Sequence, residues 1–199
     1  MADSSDIVLD RRDVVSRILA ARGDALLVTG LGAPTWDAAA VGDHPNNFYL
    51  WGGMGGAVPT ALGLALAQPD RRILVLTGDG EMLMGIGSLA TVAIQKPENL
   101  AIGIIDNQHY GETGMQETAT AHGVDLAAMA KGAGFGLTAT VRTEDDLVAA
   151  IPLIFDAPGP VFFDIKVTAV DQPMTLPEKD GLAIKHRFRA ELLGDAAQK

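Results

Sequence analysis

The chain has 199 residues, of which 48% are hydrophobic and 20% are charged, and this composition is typical of one folded globular domain. Its net charge of −10 argues against nucleic acid as a main partner, because phosphate binding needs clustered lysines and arginines. The absence of cysteine excludes disulfides, iron–sulfur clusters, thiolate zinc sites and a cysteine nucleophile within the chain. The first residues are polar and no apolar run reaches the roughly 18 residues of a membrane span, so we expect a cytoplasmic protein without a membrane partner.

Helical stripes and short apolar runs alternate along the chain. The first stripe predicts a helix over residues 10–21, and the apolar run after it predicts a strand over residues 25–28. The pattern then predicts helix 54–68, strand 73–76, helix 82–94, strand 100–105, helix 125–133, strand 137–141, helix 144–155 and strand 161–167. This alternation predicts a doubly wound α/β fold, with a mostly parallel sheet and helices on both faces.

We expect residues 1–199 to form a single domain with a C-terminal helical appendage over about residues 171–199. The appendage opens with Pro173 and Pro177 and ends as a charged amphipathic helix through Ile184, Phe188 and Leu192. It is a candidate for contact with a partner.

Four loops rich in glycine or polar residues accompany these elements: TGLGAPT (29–35), WGGMGGA (51–57), GDGEM (78–82) and DNQHYGETGMQ (106–116). Ligands of open parallel sheets bind beyond the carboxyl ends of the strands, so we expect these loops to converge. Asp79 and Asn107 are 28 residues apart, which is the length of one strand–helix–strand step. A carboxylate and an amide oxygen suit Mg²⁺ held against a diphosphate. The neighbouring glycines and the positive end of a helix starting near Met82 would favour the binding of phosphate oxygens.

Taken alone, each of these features has a purely structural explanation. Gly-Asp-Gly is often a turn that ends a strand, and Met54 would be read as a core residue. TGLGAPT lacks the third glycine and the acidic ribose partner of a dinucleotide fingerprint, and the sequence has no Walker A motif. The histidines lack metal-ligand spacing and the serines lie in no nucleophile-elbow pattern.

In combination, the motifs resemble those of thiamine diphosphate enzymes, in which GDG is followed by a residue pair ending in asparagine. Gly78-Asp79-Gly80 and Asp106-Asn107 supply this signature, although Asp106 stands where the family usually has asparagine. The resemblance implies that Asp79, Asn107 and the backbone oxygen of His109 hold Mg²⁺.

The resemblance extends to residues 47–57, NFYLWGGMGGA, which are similar to the segment that supports the bent conformation of thiamine diphosphate. It implies that Met54 wedges under the cofactor rings and that the Gly52 carbonyl accepts a hydrogen bond from the pyrimidine amino group. The other cofactor-binding residues it implies are Gly30, Leu31, Gly32, Ala33, Gly78, Asp79, Gly80, Glu81, Asn107, Tyr110 and Gly111. Besides Met54, the catalytic candidates at the substrate end are His109, Tyr110 and Glu112.

From about Arg11 to Leu193, the chain is most similar to decarboxylases of the sulfopyruvate and phosphonopyruvate type. The segments that carry this similarity are NFYLWGGMG, GDGEMLMGIGSLAT, NQHYGETGMQETAT and KDGLAIKHRF. It implies decarboxylation of a small 2-oxo acid to CO₂ and an aldehyde. Glu112 stands where these relatives carry serine, and a carboxylate facing the substrate would repel an anionic tail.

The family also needs a glutamate against the pyrimidine ring, carried by a separate pyrimidine-binding domain for which this chain has no room. We therefore expect an alpha-type subunit to complete the active site in a heterotetramer or larger assembly. Three alternatives remain open: a subunit of an acetolactate synthase-like carboligase, a 2-oxoacid:ferredoxin oxidoreductase beta subunit, and a noncatalytic Mg-nucleotide-binding module. The absence of cysteine counts against the second.

Overall fold

The computed structural model describes residues 7–198, so residues 1–6 and 199 of the expected domain lie outside the described part. The helices are α1 (Arg11–Ala20), α2 (Ala33–Val41), α3 (Ala57–Ala67), α4 (Asp79–Met84), α5 (Ser88–Gln95), α6 (Leu126–Ala133), α7 (Glu144–Asp156) and α8 (Gly181–Leu193). The strands are β1 (Leu26–Thr29), β2 (Asn47–Tyr49), β3 (Ile73–Gly78), β4 (Leu100–Asp106), β5 (His109–Tyr110), β6 (Gln116–Glu117), β7 (Leu137–Val141) and β8 (Val161–Lys166). Short 3₁₀ helices cover Gly111–Thr113, Ala119–His122 and Gly194–Gln198.

Six strands form one parallel sheet in the order β2-β1-β3-β4-β8-β7, and β5 and β6 form a separate antiparallel hairpin. Every residue of β4 and β8 is buried, which is expected of central strands covered on both faces. One core cluster joins the sheet to α1 and α7, and the other joins it to α3, α5 and α6. The predicted doubly wound α/β fold is confirmed.

The largest differences from the predicted elements lie beside the glycine-rich loops. The helix expected from residue 54 begins at Ala57, because Gly52, Gly53 and Gly55 adopt positive φ angles of 75°, 63° and 90°. The helix expected from Met82 begins at Asp79. It stops at Met84, where the backbone of Gly85 packs so closely against Gly55 that a side chain on either residue would collide.

The C-terminal segment packs against the β2 edge of the sheet. The predicted amphipathic helix is present as α8, with Ile184 and Phe188 buried. The Phe188 ring meets Phe48 edge-on, with ring centroids 5.4 Å apart, and Trp51 Nε1 donates to the Glu178 carbonyl at 2.9 Å. No helix within residues 7–198 is both long and apolar enough to cross a membrane.

Candidate active site

The carboxyl ends of β3 and β4 bring the two expected metal ligands to one edge of the sheet. In the parallel register, Gly78 pairs with Ile105, so Asp79 and Asp106 follow side by side and Asn107 comes next. The prediction that Asp79 and Asn107 share a sheet edge is therefore confirmed.

A cavity of about 320 Å³ opens at this edge. Its lining includes thirteen of the expected residues: Leu31, Gly32, Ala33, Met54, Gly78, Asp79, Gly80, Glu81, Asn107, His109, Tyr110, Gly111 and Glu112. Gly30 and Gly52 do not line it. Six further residues line the cavity and were not predicted as site residues: Arg11, Pro34, Trp36, Met84, Ile105 and Thr113. Pro34 and Trp36 lie on α2, a short alanine-rich helix whose sequence carries no clear apolar stripe.

Asp79 is buried, with 1% of its surface exposed, and its carboxylate is held by two hydroxyl groups. Thr118 Oγ1 donates to Asp79 Oδ2, and Thr120 Oγ1 lies 3.2 Å from the same oxygen. Burial and the neighbouring Asp106 carboxylate raise the pKa of Asp79 to about 6. A cation beside Asp79 would relieve both effects.

A buried ionic cluster lies directly behind the expected metal ligands. Lys166 Nζ contacts Asp106 Oδ2 and lies 2.9 Å from Asp164 Oδ2, and all three residues are less than 5% exposed. Burial and the Asp106 carboxylate raise the pKa of Asp164 to about 7. Burial alone would lower the pKa of Lys166, but the two carboxylates raise it above its ordinary value. The ammonium group is therefore held in its charged form.

The same cluster fixes the turn that carries Asn107. Asp106 Oδ1 accepts hydrogen bonds at 2.9 Å from the Gln108 N–H and from Thr120 Oγ1, which also reaches Asp79. Gln108 adopts a positive φ of 65°. His109 N–H donates to Asn107 Oδ1 at 3.0 Å, and His109 Nδ1 lies 2.8 Å from the Asn107 carbonyl oxygen. Asp79 and the turn that carries Asn107 are thus connected through Thr120 and Asp106.

The remaining expected residues form the walls of the cavity. Met54 is 39% exposed and stands on the glycine-rich loop before α3. The Tyr110 ring covers Gly80 so closely that a Cβ atom there would overlap it. Glu112 is exposed at the rim, where its Oε1 would lie 2.9 Å from a Cβ on Gly32, and partial burial raises its pKa.

Comparison with known proteins identifies the family of this chain. Residues 31–165 match the family described as "Thiamine pyrophosphate enzyme, C-terminal TPP binding domain". The chain belongs to this family. Thiamine pyrophosphate is another name for thiamine diphosphate, and the resemblance inferred from the motifs is confirmed.

Individual relatives of this thiamine pyrophosphate enzyme include proteins named as decarboxylases. It is 38% identical over 188 residues to sulfopyruvate decarboxylase subunit beta from Methanothermobacter thermautotrophicus, covering 94% of this chain and 98% of the relative. It is 35% identical over 169 residues to phosphonopyruvate decarboxylase from Streptomyces viridochromogenes, covering 84% of this chain and 42% of that longer protein. The crystal structure of benzoylformate decarboxylase from Polynucleobacter necessarius has the same fold, with a TM-score of 0.70 at 20% identity over 87% of this chain and 36% of its own.

The residues present fit a magnesium diphosphate group. Asp79, Asp106 and Asp164 are three buried carboxylates, and the Lys166 ammonium group pairs with the last two only, so Asp79 has no cationic partner among the residues that the structure describes and a dication would supply the missing positive charge. Within residues 7–198 no group of three or more His, Cys, Asp or Glu side chains is arranged to hold a metal. A metal at Asp79 would therefore need amide, main-chain and diphosphate oxygens, and this mixed oxygen set suits Mg²⁺.

Proposed function

We propose that this chain is the beta-type subunit of a 2-oxo acid decarboxylase that depends on thiamine diphosphate and magnesium and releases CO₂ and an aldehyde. The observation that carries the proposal is the placement of Asp79 and Asn107 at one cavity, in a chain 38% identical over nearly its full length to a sulfopyruvate decarboxylase beta subunit. When bound, thiamine diphosphate supplies the electron sink that allows a 2-oxo acid to lose CO₂.

The chain's own residues bind and shape the cofactor in this proposal. Asp79, Asn107 and the backbone oxygen of His109 hold Mg²⁺. The main chain of Gly80, Gly32 and Ala33 would face the diphosphate. Gly30 does not line the cavity, and the Leu31 N–H is excluded from this role because it already donates to Glu81. Met54 would support the cofactor rings, and the Gly52 carbonyl would accept a hydrogen bond from the pyrimidine amino group.

Three residues of the cavity lining are candidates to act on the substrate. His109 Nδ1 faces the Asn107 carbonyl, so its Nε2 is the ring nitrogen left for proton transfer. The ring of Tyr110 closes the cavity over Gly80. Glu112 brings a carboxylate to the rim, where it influences which substrate tails are accepted.

A partner subunit completes the active site in this proposal. The phosphonopyruvate decarboxylase matched here is more than twice as long as the aligned region, whereas the chain covers 98% of a relative that is named as a beta subunit. We assign the pyrimidine-binding domain and its activating glutamate to an alpha-type subunit. The two subunits would form a heterotetramer or larger assembly, in which each copy of this chain supplies one pyrophosphate-type domain.

The proposal is tested by co-expressing the chain with the protein encoded beside its gene. Aldehyde and CO₂ are measured with sulfopyruvate, phosphonopyruvate, pyruvate and phenylpyruvate in the presence of thiamine diphosphate and Mg²⁺. We expect aldehyde from one acid, loss of that activity in Asp79→Ala, and full activity in Asp70→Asn, an exposed control. CO₂ without aldehyde would indicate a carboligase. Thermal stabilisation by Mg-ATP but not by thiamine diphosphate would indicate a nucleotide-binding module.

A further inference from the structure

Glu81 is a buried carboxylate at the cavity whose contacts differ from those of Asp79. Only 3% of its surface is exposed. Its Oε2 accepts a hydrogen bond from the Leu31 N–H at 2.9 Å, and its Oε1 accepts one from the Ala57 N–H at 3.4 Å. Leu31 lies on the loop after β1, and Ala57 is the first residue of α3, directly after the glycine-rich loop that carries Met54. One side chain on α4 therefore connects both loops to the helix that begins with Asp79.

Gly30 leaves the space that this carboxylate occupies. A Cβ atom on Gly30 would overlap Glu81 Oε2 and Cδ, and it would also come within 2.5 Å of Thr77 Oγ1. Unlike Gly32, Gly30 does not adopt a positive φ, so the backbone conformation does not require glycine there. The lack of a side chain at Gly30 is explained by the space that Glu81 needs.

Both loops contribute residues to the lining of the cavity. Leu31, Gly32 and Ala33 line it from the first loop, and Met54 lines it from the second. Without Glu81, the Leu31 and Ala57 N–H groups would lose their acceptor, and the Ala57 residue is itself buried. A direct contact between Glu81 and a diphosphate is disfavoured, because like charges repel and both carboxylate oxygens already accept hydrogen bonds.

We propose that Glu81 is a positioning residue that sets the spacing between the loop of residues 30–33 and the Met54 loop, and so shapes the cavity for its diphosphate-bearing cofactor. This inference rests on the proposed function for the identity of the cofactor. The connection between the two loops does not depend on that identity.

The experiment compares Glu81→Ala and Glu81→Gln with Glu98→Gln, an exposed control. The first measurement is amide hydrogen exchange of Leu31 and Ala57, by NMR, in the full chain without cofactor. We expect Glu81→Ala to accelerate exchange at both amides by about tenfold or more. Glu81→Gln keeps one acceptor oxygen, so one of the two amides should remain protected. Unchanged exchange at both amides in Glu81→Ala would overturn the proposal.

The second measurement is the affinity of the same proteins for thiamine diphosphate in the presence of Mg²⁺, by calorimetric titration. We expect Glu81→Ala to raise the Kd by about tenfold or more, with Glu81→Gln intermediate and Glu98→Gln unchanged. Faster exchange with an unchanged Kd would overturn the positioning role. If wild-type chain bound no thiamine diphosphate, alone or with its partner, the proposed function would fail, while the exchange data would still decide whether Glu81 connects the loops.

A double substitution provides an independent test of the steric coupling. Gly30→Ala should lower the melting temperature less in a Glu81→Ala background than in wild type, because the overlapping carboxylate is then absent. Relief should be incomplete, since Thr77 remains close. Equal costs in the two backgrounds would contradict the geometry on which the proposal stands.

Discussion

Replacing Lys166 with methionine should strongly destabilise the chain, because the substitution removes the cation of a buried ionic cluster. Lys166 is 4% exposed and contacts Asp106 and Asp164, which are 0% and 1% exposed. Methionine has a similar length but leaves both carboxylates without a counter-ion. Breaking a buried ion pair in this way costs about 3–5 kcal/mol. For a chain of this size, that corresponds to a fall of about 6–20 °C in melting temperature.

The assay is urea unfolding of cofactor-free protein at pH 8, above the raised pKa of Asp164, repeated at pH 5. The pKa of Asp164 is raised to about 7, so this carboxyl group takes up a proton at the lower pH and the missing cation matters less. The effect of Lys166→Met should therefore be smaller at pH 5. Since replacing the whole cluster avoids unpaired charge, a triple variant with Asp106→Asn and Asp164→Asn should recover most of the loss.

Two results would contradict the expected stabilisation by the buried ionic cluster. A Lys166→Met variant within about 1 kcal/mol of wild type at pH 8 would mean that the cluster is not charged and buried as described. A triple variant no more stable than the single one would mean that lost packing, not unpaired charge, causes the effect.

Three further predictions concern the metal site and the residues around it. Thiamine diphosphate at about 100 times its Kd, together with Mg²⁺, should raise the melting temperature of the wild-type chain by about 5–11 °C in differential scanning fluorimetry. Asp79→Ala should abolish this rise. An equal rise in both proteins would exclude Asp79 as a ligand. Gly80→Ala should cost about 1–3 kcal/mol in urea unfolding because its methyl group overlaps the Tyr110 ring, and the cost should shrink in a Tyr110→Ala background. The free energy of unfolding of the cofactor-free chain should fall as pH rises from about 4 to 7. The reason is that folding raises the pKa of Asp79 to about 6 and that of Asp164 to about 7. If urea titrations showed a rise over this range, the burial of these carboxylates would be contradicted.

Most of the parallel sheet could be predicted, because its central strands are buried apolar runs. Strands β3 and β4 begin where expected, and the half-buried edge strand β7 has the predicted bounds, whereas the short edge strand β2 was not predicted. The shared position of Asp79 and Asn107 then followed from the length of one strand–helix–strand step. The identity of the ligand and the reaction came from the resemblance of the motifs to a known family, since the residues alone also fitted a structural turn and a nucleotide site.

The support around the metal site could not be predicted, because it depends on contacts between distant parts of the chain. Thr118 and Thr120 lie in a polar stretch with no periodic pattern, and the fold brings them to Asp79. Lys166 is a charged residue at the end of an apolar strand, and only the neighbouring strand shows that it pairs with Asp106. Glu81 was expected to bind the cofactor, and nothing in its sequence neighbourhood indicated that its side chain accepts hydrogen bonds from the Leu31 and Ala57 amides.

As one half of the proposed thiamine diphosphate-dependent decarboxylase, this chain should depend on its alpha-type partner for activity. The most direct test compares 2-oxo acid decarboxylation by the purified chain, by the purified alpha-type partner, and by the two mixed, each with thiamine diphosphate and Mg²⁺. We predict that neither protein alone releases CO₂ above background and that the mixture does, with an aldehyde as the other product. Decarboxylation by this chain alone, at a rate unchanged by the partner, would contradict the proposal that a partner subunit completes the active site.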